Sequence, residues 1–438
     1  MRDVDGYFRA PNQGVTGERA RAVHCRWLML LRTLAASALI ASSVSSAAPE
    51  DSVDLAGIMR LTVDGWTRSQ VDGLFPYGFD FLADSALEPH RMSAPNLARQ
   101  AFTAFTLARY YEHTRDPRLR QPIAQALAAF RARSLPIGKS AAQRILEAAR
   151  VLSFPVARWR LQTALERSGF LYQRAGEGRV VSPDEKYSNA LAGTVALALL
   201  TELVYSRASG DESFAEQRKA WLEGLLALRI PGGGFRQDPT LIDDSDYDNG
   251  EGWLALAVYS DAHPDDARTA AVLADLDDIL PRRYTETPSQ HFFQWGAMAA
   301  AQRYRTTHDA RFLTYLRRQG SDFIELSRRR LRPSDNNCAA MEGFAAILAT
   351  LRAAGEDESA GARAIGEWLS REVAKLPRLQ IQQGQQSLAL GGEAYLRAPR
   401  MADYAGGFLS GLYIPVTRVD VAGHCLSAML TLERHGAH

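Results

Sequence analysis

Asp243, Asp244, Asp246, Asp248 and Glu251 crowd one short stretch of the chain. Apolar residues recur at helical spacing from Gly250 onward, so these acids precede or open a helix. The dipole at a helix N-terminus stabilises carboxylates, and that alone accounts for some of them. Asp248 and Glu251, three residues apart, share one helical face. Glycoside hydrolysis needs one protonated and one ionised carboxyl group on opposite sides of the scissile bond. A further acid must then come from elsewhere in the chain. Glu342 and Asp420 are the candidates, each near the start of another apolar helix. The Asp-rich run lacks the ligand order of an EF-hand, so calcium is not expected.

Arg418, Asp420 and His424 form a second cluster. Asp420 and His424 are four residues apart and face the same way if the helix begins by Asp420. A histidine oriented by a carboxylate can act as general base; an N-capping aspartate beside a packed histidine is the structural alternative. Arg99 and Gln100 open another helix, where Arg99 suits a substrate carboxylate through a bidentate pair or, equally, anchors a loop acid. Tyr77, Tyr247, Trp253, His291 and Trp295 lie in or beside the same loops. Their rings suit the apolar faces of sugars and also suit a helical core. The expected catalytic set is therefore Asp248, Glu251, Glu342, Asp420 and His424. The expected substrate-binding set is Arg99, Gln100, Tyr77, Tyr247, Trp253, His291, Trp295 and Arg418.

Three cysteines are present, Cys25, Cys338 and Cys425. If Cys25 leaves with an export signal, the remaining pair suggests a disulfide in an oxidising compartment. Two other readings stay open: free buried thiols, and a zinc site in which Cys338, Cys425 and His424 supply a known catalytic ligand set. No metal or other cofactor is expected on the first reading. Pro231-Gly232-Gly233-Gly234 is not a phosphate loop, because the Lys-Ser/Thr ending is missing. No Gly-x-Ser-x-Gly elbow occurs, which disfavours serine hydrolysis.

The 438 residues are 46% hydrophobic and 23% charged, a globular composition. Basic and acidic residues balance at 51 to 50, so no basic excess favours nucleic acid. Helical spacing dominates from about Asp51. Helices are expected at Asn96–Tyr111, Leu119–Arg133, Ala141–Ser153, Asn189–Tyr205, Phe214–Leu228, Gly250–Tyr259, Arg268–Ile279, Phe293–Tyr304, Ala310–Arg328, Ala339–Ala353, Ala360–Lys375 and Ala422–Arg434. Only short β pieces are expected, in the loops. An aromatic-glycine loop repeatedly precedes an Ala-rich helix, as in Gly73-Leu74-Phe75-Pro76-Tyr77, Gly233-Gly234-Phe235 and Gly406-Gly407-Phe408; recurrence of this kind signals a repeat array. Helices rich in Ala, Gly and Ser suit an inner ring, and charged amphipathic helices an outer one. The expected architecture is all-α, an (α/α)6 toroid of helical hairpins with short β pieces in the mouth loops; an open superhelix is the alternative. Closure is favoured because the last helix is of the inner type and lacks a polar capping face.

Arg19, Arg21, Arg26 and Arg32 precede an apolar run, Thr33 to Val44, and then Ser45-Ser46-Ala47-Ala48-Pro49. This order describes a secretory signal peptide cleaved after Ala47, with translation starting at Met1 or Met29; an uncleaved anchor is the other reading. Residues 1–47 are thus expected to be a signal and 48–438 a single toroid domain, periplasmic or secreted, with no membrane span after cleavage. The mature chain would carry 45 basic and 47 acidic residues. Nothing in it specifies an oligomeric state.

Asn96-Leu97-Ala98-Arg99-Gln100, Tyr247-Asp248-Asn249-Gly250-Glu251, Phe293-Gln294-Trp295-Gly296-Ala297 and Arg418-Val419-Asp420-Val421-Ala422-Gly423-His424 carry a resemblance. The chain resembles bacterial (α/α)-toroid proteins, including six-hairpin glycosidases and proteins similar to glucuronyl C5-epimerase. The resemblance implies a central pocket and a glycan substrate. The expected function is an exported glycoside hydrolase using carboxylate acid/base catalysis. A polysaccharide lyase or uronic-acid epimerase is the first alternative. A non-catalytic glycan- or protein-binding toroid in polysaccharide assembly or export is the second, and a zinc-dependent cyclase or transferase the third.

Overall fold

The computed structural model describes residues 53–88, 92–139, 172–241, 243–390 and 394–436. In chain order its helices are α1 (Leu55–Ser69), α2 (Ala94–Thr114), α3 (Arg120–Ala132), α4 (Ala192–Ser209), α5 (Ala215–Ala227), α6 (Asp246–Ala262), α7 (Ala267–Glu286), α8 (Gln290–Thr307), α9 (Ala310–Arg330), α10 (Cys338–Ala353), α11 (Ala360–Val373), the short α12 (Leu376–Leu379) and α13 (Val419–Arg434). Helix α4 is apolar all round and buried over Ala192–Ser206, whereas α9 buries one stripe and exposes arginines on the other. A helix buried on every side must lie inside; a striped one can face water.

The inner helices close a ring. Helix α2 packs on α4, α4 on α6, α6 on α8, α8 on α10, α10 on α13, and α13 returns to α2. The outer layer is α1, α3, α5, α7, α9 and α11, each packed on one or two inner helices. This is an (α/α)6 toroid, and its six inner helices are the six Ala/Gly/Ser-rich segments expected from the sequence. In this ring α2 stands opposite α8, and α6 opposite α13.

Two features differ from the sequence reading. Helix α1 joins the outer layer; it falls within the helical spacing that begins at about Asp51, though outside the helix ranges expected from the sequence. A hairpin pairs β3 (Ser134–Lys139) with the ten-residue β4 (Tyr172–Val181), although only short strands are expected. Glycines hide β4 from pattern reading. A Cβ at Gly178 would stand 2.9 Å from the Gly224 backbone nitrogen of α5. The expected helix Ala141–Ser153 lies outside the described residues.

A second sheet supports the mouth. Strands β1 (Gly78–Asp80), β2 (Ser85–Ala86), β7 (Leu409–Gly411) and β8 (Ile414–Arg418) lie antiparallel in the order β2-β1-β8-β7. Gly78 pairs with Arg418 and Phe79 with Thr417. Phe79, Phe81, Ile381, Leu388, Met401 and Leu409 form a small core beside the hairpin β5 (Ser387–Ala389) and β6 (Tyr395–Arg397). Strand β8 runs directly into α13, and the Val419 N–H donates to the Tyr77 carbonyl at 2.8 Å. Tyr77 and Arg418 are thereby fixed beside each other.

Candidate active site

One wall of the mouth is the first turn of α6. Asp248 is 5% exposed and Glu251 8% exposed. The Gly193 N–H at the start of α4 donates to Asp248 Oδ1 at 2.6 Å. Glycine at 193 leaves room for the pair: a Cβ there would collide with Glu251 Oε2 and lie 3.2 Å from Asp248 Oδ1, so a larger residue would push the Glu251 carboxyl aside. Both carboxyl groups thus crowd a single point, and among the described residues neither an arginine nor a lysine is paired to them. Burial pushes Asp248 up to about 6, against hydrogen bonds from Ser245 and Gly193. Burial and then the Asp248 charge push Glu251 well above the carboxylate range. The pair therefore holds a proton more readily than free carboxylates do, with Glu251 the group pushed up by both causes.

The other acids of the run have structural work. Asp243 is exposed. Asp244 accepts from Arg283 and from the Gly234 N–H at 3.1 Å. Asp246 accepts from Tyr284 Oη at 2.7 Å and from Ser289 Oγ at 2.5 Å.

The opposite wall is the start of α13. Arg418 donates through Nε to Asp420 Oδ1 at 3.1 Å and through a terminal nitrogen to Oδ2 at 2.8 Å, a forked pair. Arg99 Nε of α2 reaches the same Oδ2 at 3.2 Å. Arg99 also donates to the Tyr77 hydroxyl, which accepts. Burial alone would raise Asp420, but Arg418, Arg99 and His424 outweigh it and hold the carboxyl below its ordinary value. Arg99 and Arg418 thus share the Asp420 carboxylate.

Tyr247 stands at the mouth and is 43% exposed. Its ring lies 4.7 Å from the His291 ring. Burial raises its phenol, with the charges of Glu251, Arg99, Asp420 and Arg418 all bearing on it. Its hydroxyl therefore lies within electrostatic reach of both clusters.

Aromatic rings fill the axis below. Phe102 of α2 meets Trp295 of α8 at 5.3 Å and His424 of α13 at 4.4 Å. Gly423 makes room: a Cβ there would stand 2.8 Å from Phe102. Trp295 and His424 thus form a floor. His424 Nδ1 lies 2.8 Å from Glu342 Oε2 of α10. Glu342 is fully buried, and its Oε1 has no hydrogen-bond partner. Sequence spacing suggests Asp420 as the carboxylate that orients His424; the structure gives that contact to Glu342.

Other expected residues fall elsewhere. Gln100 is buried and accepts from the Phe75 N–H at 2.8 Å while donating to the Phe75 carbonyl at 2.9 Å. Its amide thus locks the loop before α2 and leaves little for a ligand. Trp253 is fully buried and donates through Nε1 to Asp277 Oδ1 of α7 at 2.8 Å. It faces the outer layer, because seven positions along α6 from Asp246 the helix turns that side outward. Cys338 and Cys425 are joined in a disulfide. With both sulfurs bonded to each other and His424 Nδ1 on Glu342, the proposed Cys₂His zinc set does not fit this arrangement. Gly193 was missed by sequence reading; its only signal is a glycine at the start of a helix otherwise built of larger apolar residues.

Arg418 also lines a cavity of about 230 Å³ with Trp66, Arg400, Tyr404 and Thr417. Among the described residues, no helix is long and apolar enough to cross a membrane.

No family model matches this sequence, and no curated protein matches it. Among solved structures, the chain is similar to an unsaturated glucuronyl hydrolase specific for heparin. The TM-score is 0.51 at 12% identity, covering 87% of this chain and 97% of that one. At this identity the likeness is one of fold, an (α/α)6 toroid.

Proposed function

We propose that the protein is a glycoside hydrolase acting on an acidic oligosaccharide. The observation that carries this reading is the Asp248–Glu251 pair, which holds a proton more readily than free carboxylates do and faces an ionised Asp420 across the ring. Glu251 gives its proton to the leaving glycosidic oxygen. Asp420, or His424 held by Glu342, takes a proton from the attacking water on the far wall. Arg99 and Arg418 attract a substrate carboxylate, and Tyr247 and Tyr77 orient the sugar. The fold shared with an unsaturated glucuronyl hydrolase supports an acidic glycan as the substrate class.

A second reading is favoured by the His424–Glu342 contact beside two arginines. A base next to guanidiniums suits abstraction of the proton beside a uronate carboxylate, as in a lyase or epimerase. Incubating a panel of acidic oligosaccharides with the protein separates these readings. Hydrolysis yields a new reducing end with no new double bond. A lyase creates a double bond, and an epimerase exchanges carbon-bound hydrogen for solvent deuterium without cleavage. The N-terminal segment supports an exported enzyme. The mass of the protein recovered from the periplasm, starting at Ala48, tests that.

A further inference from the structure

The cavity of about 230 Å³ beside Arg418 is bounded by the end of α1, the segment 399–407 and the start of α13. Pro76 and Gly78 line it, while the hydroxyl of Tyr77 between them accepts from Arg99 at the mouth. Gly78 pairs in turn with Arg418, which forks on Asp420. The segment 76–78 and the start of α13 are thus a shared wall, with the candidate active site on one side and this cavity on the other.

Two buried donors line the cavity. Trp66 is 6% exposed and Thr417 is 3% exposed. Among the described residues, none accepts from the Trp66 indole N–H, and none bonds to the Thr417 hydroxyl. Buried groups of these types ordinarily have a partner. A Cβ at Gly407 would stand 2.9 Å from Thr417 Oγ1, so the glycine keeps the approach to that hydroxyl open. The rings of Trp66 and Tyr404 supply apolar wall. Tyr404 is itself braced, 5.0 Å from the Phe79 ring and 5.7 Å from the Phe81 ring.

Arg400 stands at the lip. Its guanidinium lies over the Phe79 ring at 4.7 Å, and its Nε reaches Asp403 Oδ2 only at 3.7 Å. Among the described residues, none takes its two terminal nitrogens in a hydrogen bond. A guanidinium stacked by its face keeps its in-plane donors for a carboxylate, which it binds as a fork. Pockets for drug-sized ligands run to about 300–1,000 Å³. At about 230 Å³ this cavity suits one sugar ring rather than a chain.

We propose that this cavity is a binding site for one uronic-acid sugar. The sugar's carboxylate takes the terminal nitrogens of Arg400, and its ring hydroxyls meet Trp66 Nε1 and Thr417 Oγ1 inside. The choice of an acidic sugar rests on the same reading as the proposed hydrolysis; the site itself is distinct from the walls that carry Asp248, Glu251 and Asp420.

The test labels the whole protein with fluorotryptophan and follows it by fluorine NMR. The Trp66 resonance is the one that W66F removes. Sodium glucuronate should shift it saturably, with a Kd of about 1 mM or below. Glucose has the ring without the carboxylate, and acetate the carboxylate without the ring. At the same ionic strength each should act at least about tenfold more weakly. R400Q changes an exposed side chain and should raise the Kd read at Trp66 at least about tenfold. T417V keeps the shape of the buried residue and should raise it about 2–10-fold. A Trp66 resonance unmoved by glucuronate, moved equally by glucose or acetate, or moved with the native midpoint in R400Q overturns the proposal. The readout needs no turnover. A shift at Trp66 without cleavage of any acidic oligosaccharide counts against the proposed hydrolysis alone, and cleavage with a silent Trp66 counts against this site alone.

Discussion

His424 Nδ1 meets Glu342 Oε2 at 2.8 Å across 82 residues of sequence and between two neighbouring inner helices. The contact engages Nδ1 and leaves Nε2 as the other ring nitrogen for proton transfer. A carboxylate in this position sets the tautomer and stabilises the imidazolium that forms when Nε2 takes a proton. E342Q keeps the shape and removes the charge. Its turnover should fall by about 100-fold with KM little changed, measured as initial rates on an acidic oligosaccharide.

A covalent link reinforces that contact. Cys338 precedes Glu342 by one turn of α10, and Cys425 follows His424 directly. The Cys338–Cys425 disulfide therefore ties together the two helices that carry the pair. Reduction, or the C338S/C425S double variant, should cost about 2–5 kcal/mol of stability. It should also lower turnover at temperatures where the reduced chain is still folded. Denaturant unfolding with and without reductant measures the first effect and initial rates the second.

The buried acid pair makes stability fall with rising pH. Asp248 titrates at about 6 in the folded chain instead of at its ordinary 3.8. The folded state thus binds more protons than the unfolded state between those values. The stability this group contributes is full below the ordinary value and is lost as pH rises through about 6, a swing of about 3 kcal/mol for two pH units. Glu251, raised further, extends the loss to higher pH. D248N should flatten the lower part of the profile, and E251Q the upper part, in melting curves taken from pH 4 to pH 9.

Asp420 has the opposite sign. Its folded value is depressed, so its contribution is present above the ordinary carboxylate range and is lost as pH falls through the folded value. D420N leaves Arg99 and Arg418 crowded without their shared counter-charge. It should lower stability at neutral pH by about 1–3 kcal/mol and remove turnover. An acidic product should bind it more tightly than the native chain by calorimetry.

Sequence reading located the ring better than it located the site. Ala- and Gly-rich helices such as Ala192–Ser209 show by composition that they are buried on all sides, and six of them imply the closed layer. The direction in which a side chain points was much less legible. Trp253 and Trp295 both lie on inner helices next to glycines. One serves the outer layer through Asp277, and the other forms the floor beside His424. The Glu342–His424 contact joins helices distant in sequence, so no local spacing announces it. Asp248 and Glu251 were legible because their pairing is local, three residues on one helix. W253F should accordingly cost about 1–3 kcal/mol by leaving buried Asp277 Oδ1 without its indole donor, while Arg303 still holds Oδ2, with KM unchanged, as measured by melting and steady-state kinetics.

In the proposed hydrolysis Glu251 carries the proton for glycosidic cleavage. The most direct measurement compares native and E251Q proteins on an acidic oligosaccharide that the native protein cleaves, with melting curves for both. E251Q should stay folded, melt at or above the native temperature at neutral pH, and lose about 10³-fold or more in turnover. A folded E251Q that cleaves the same bond at the native rate would contradict it.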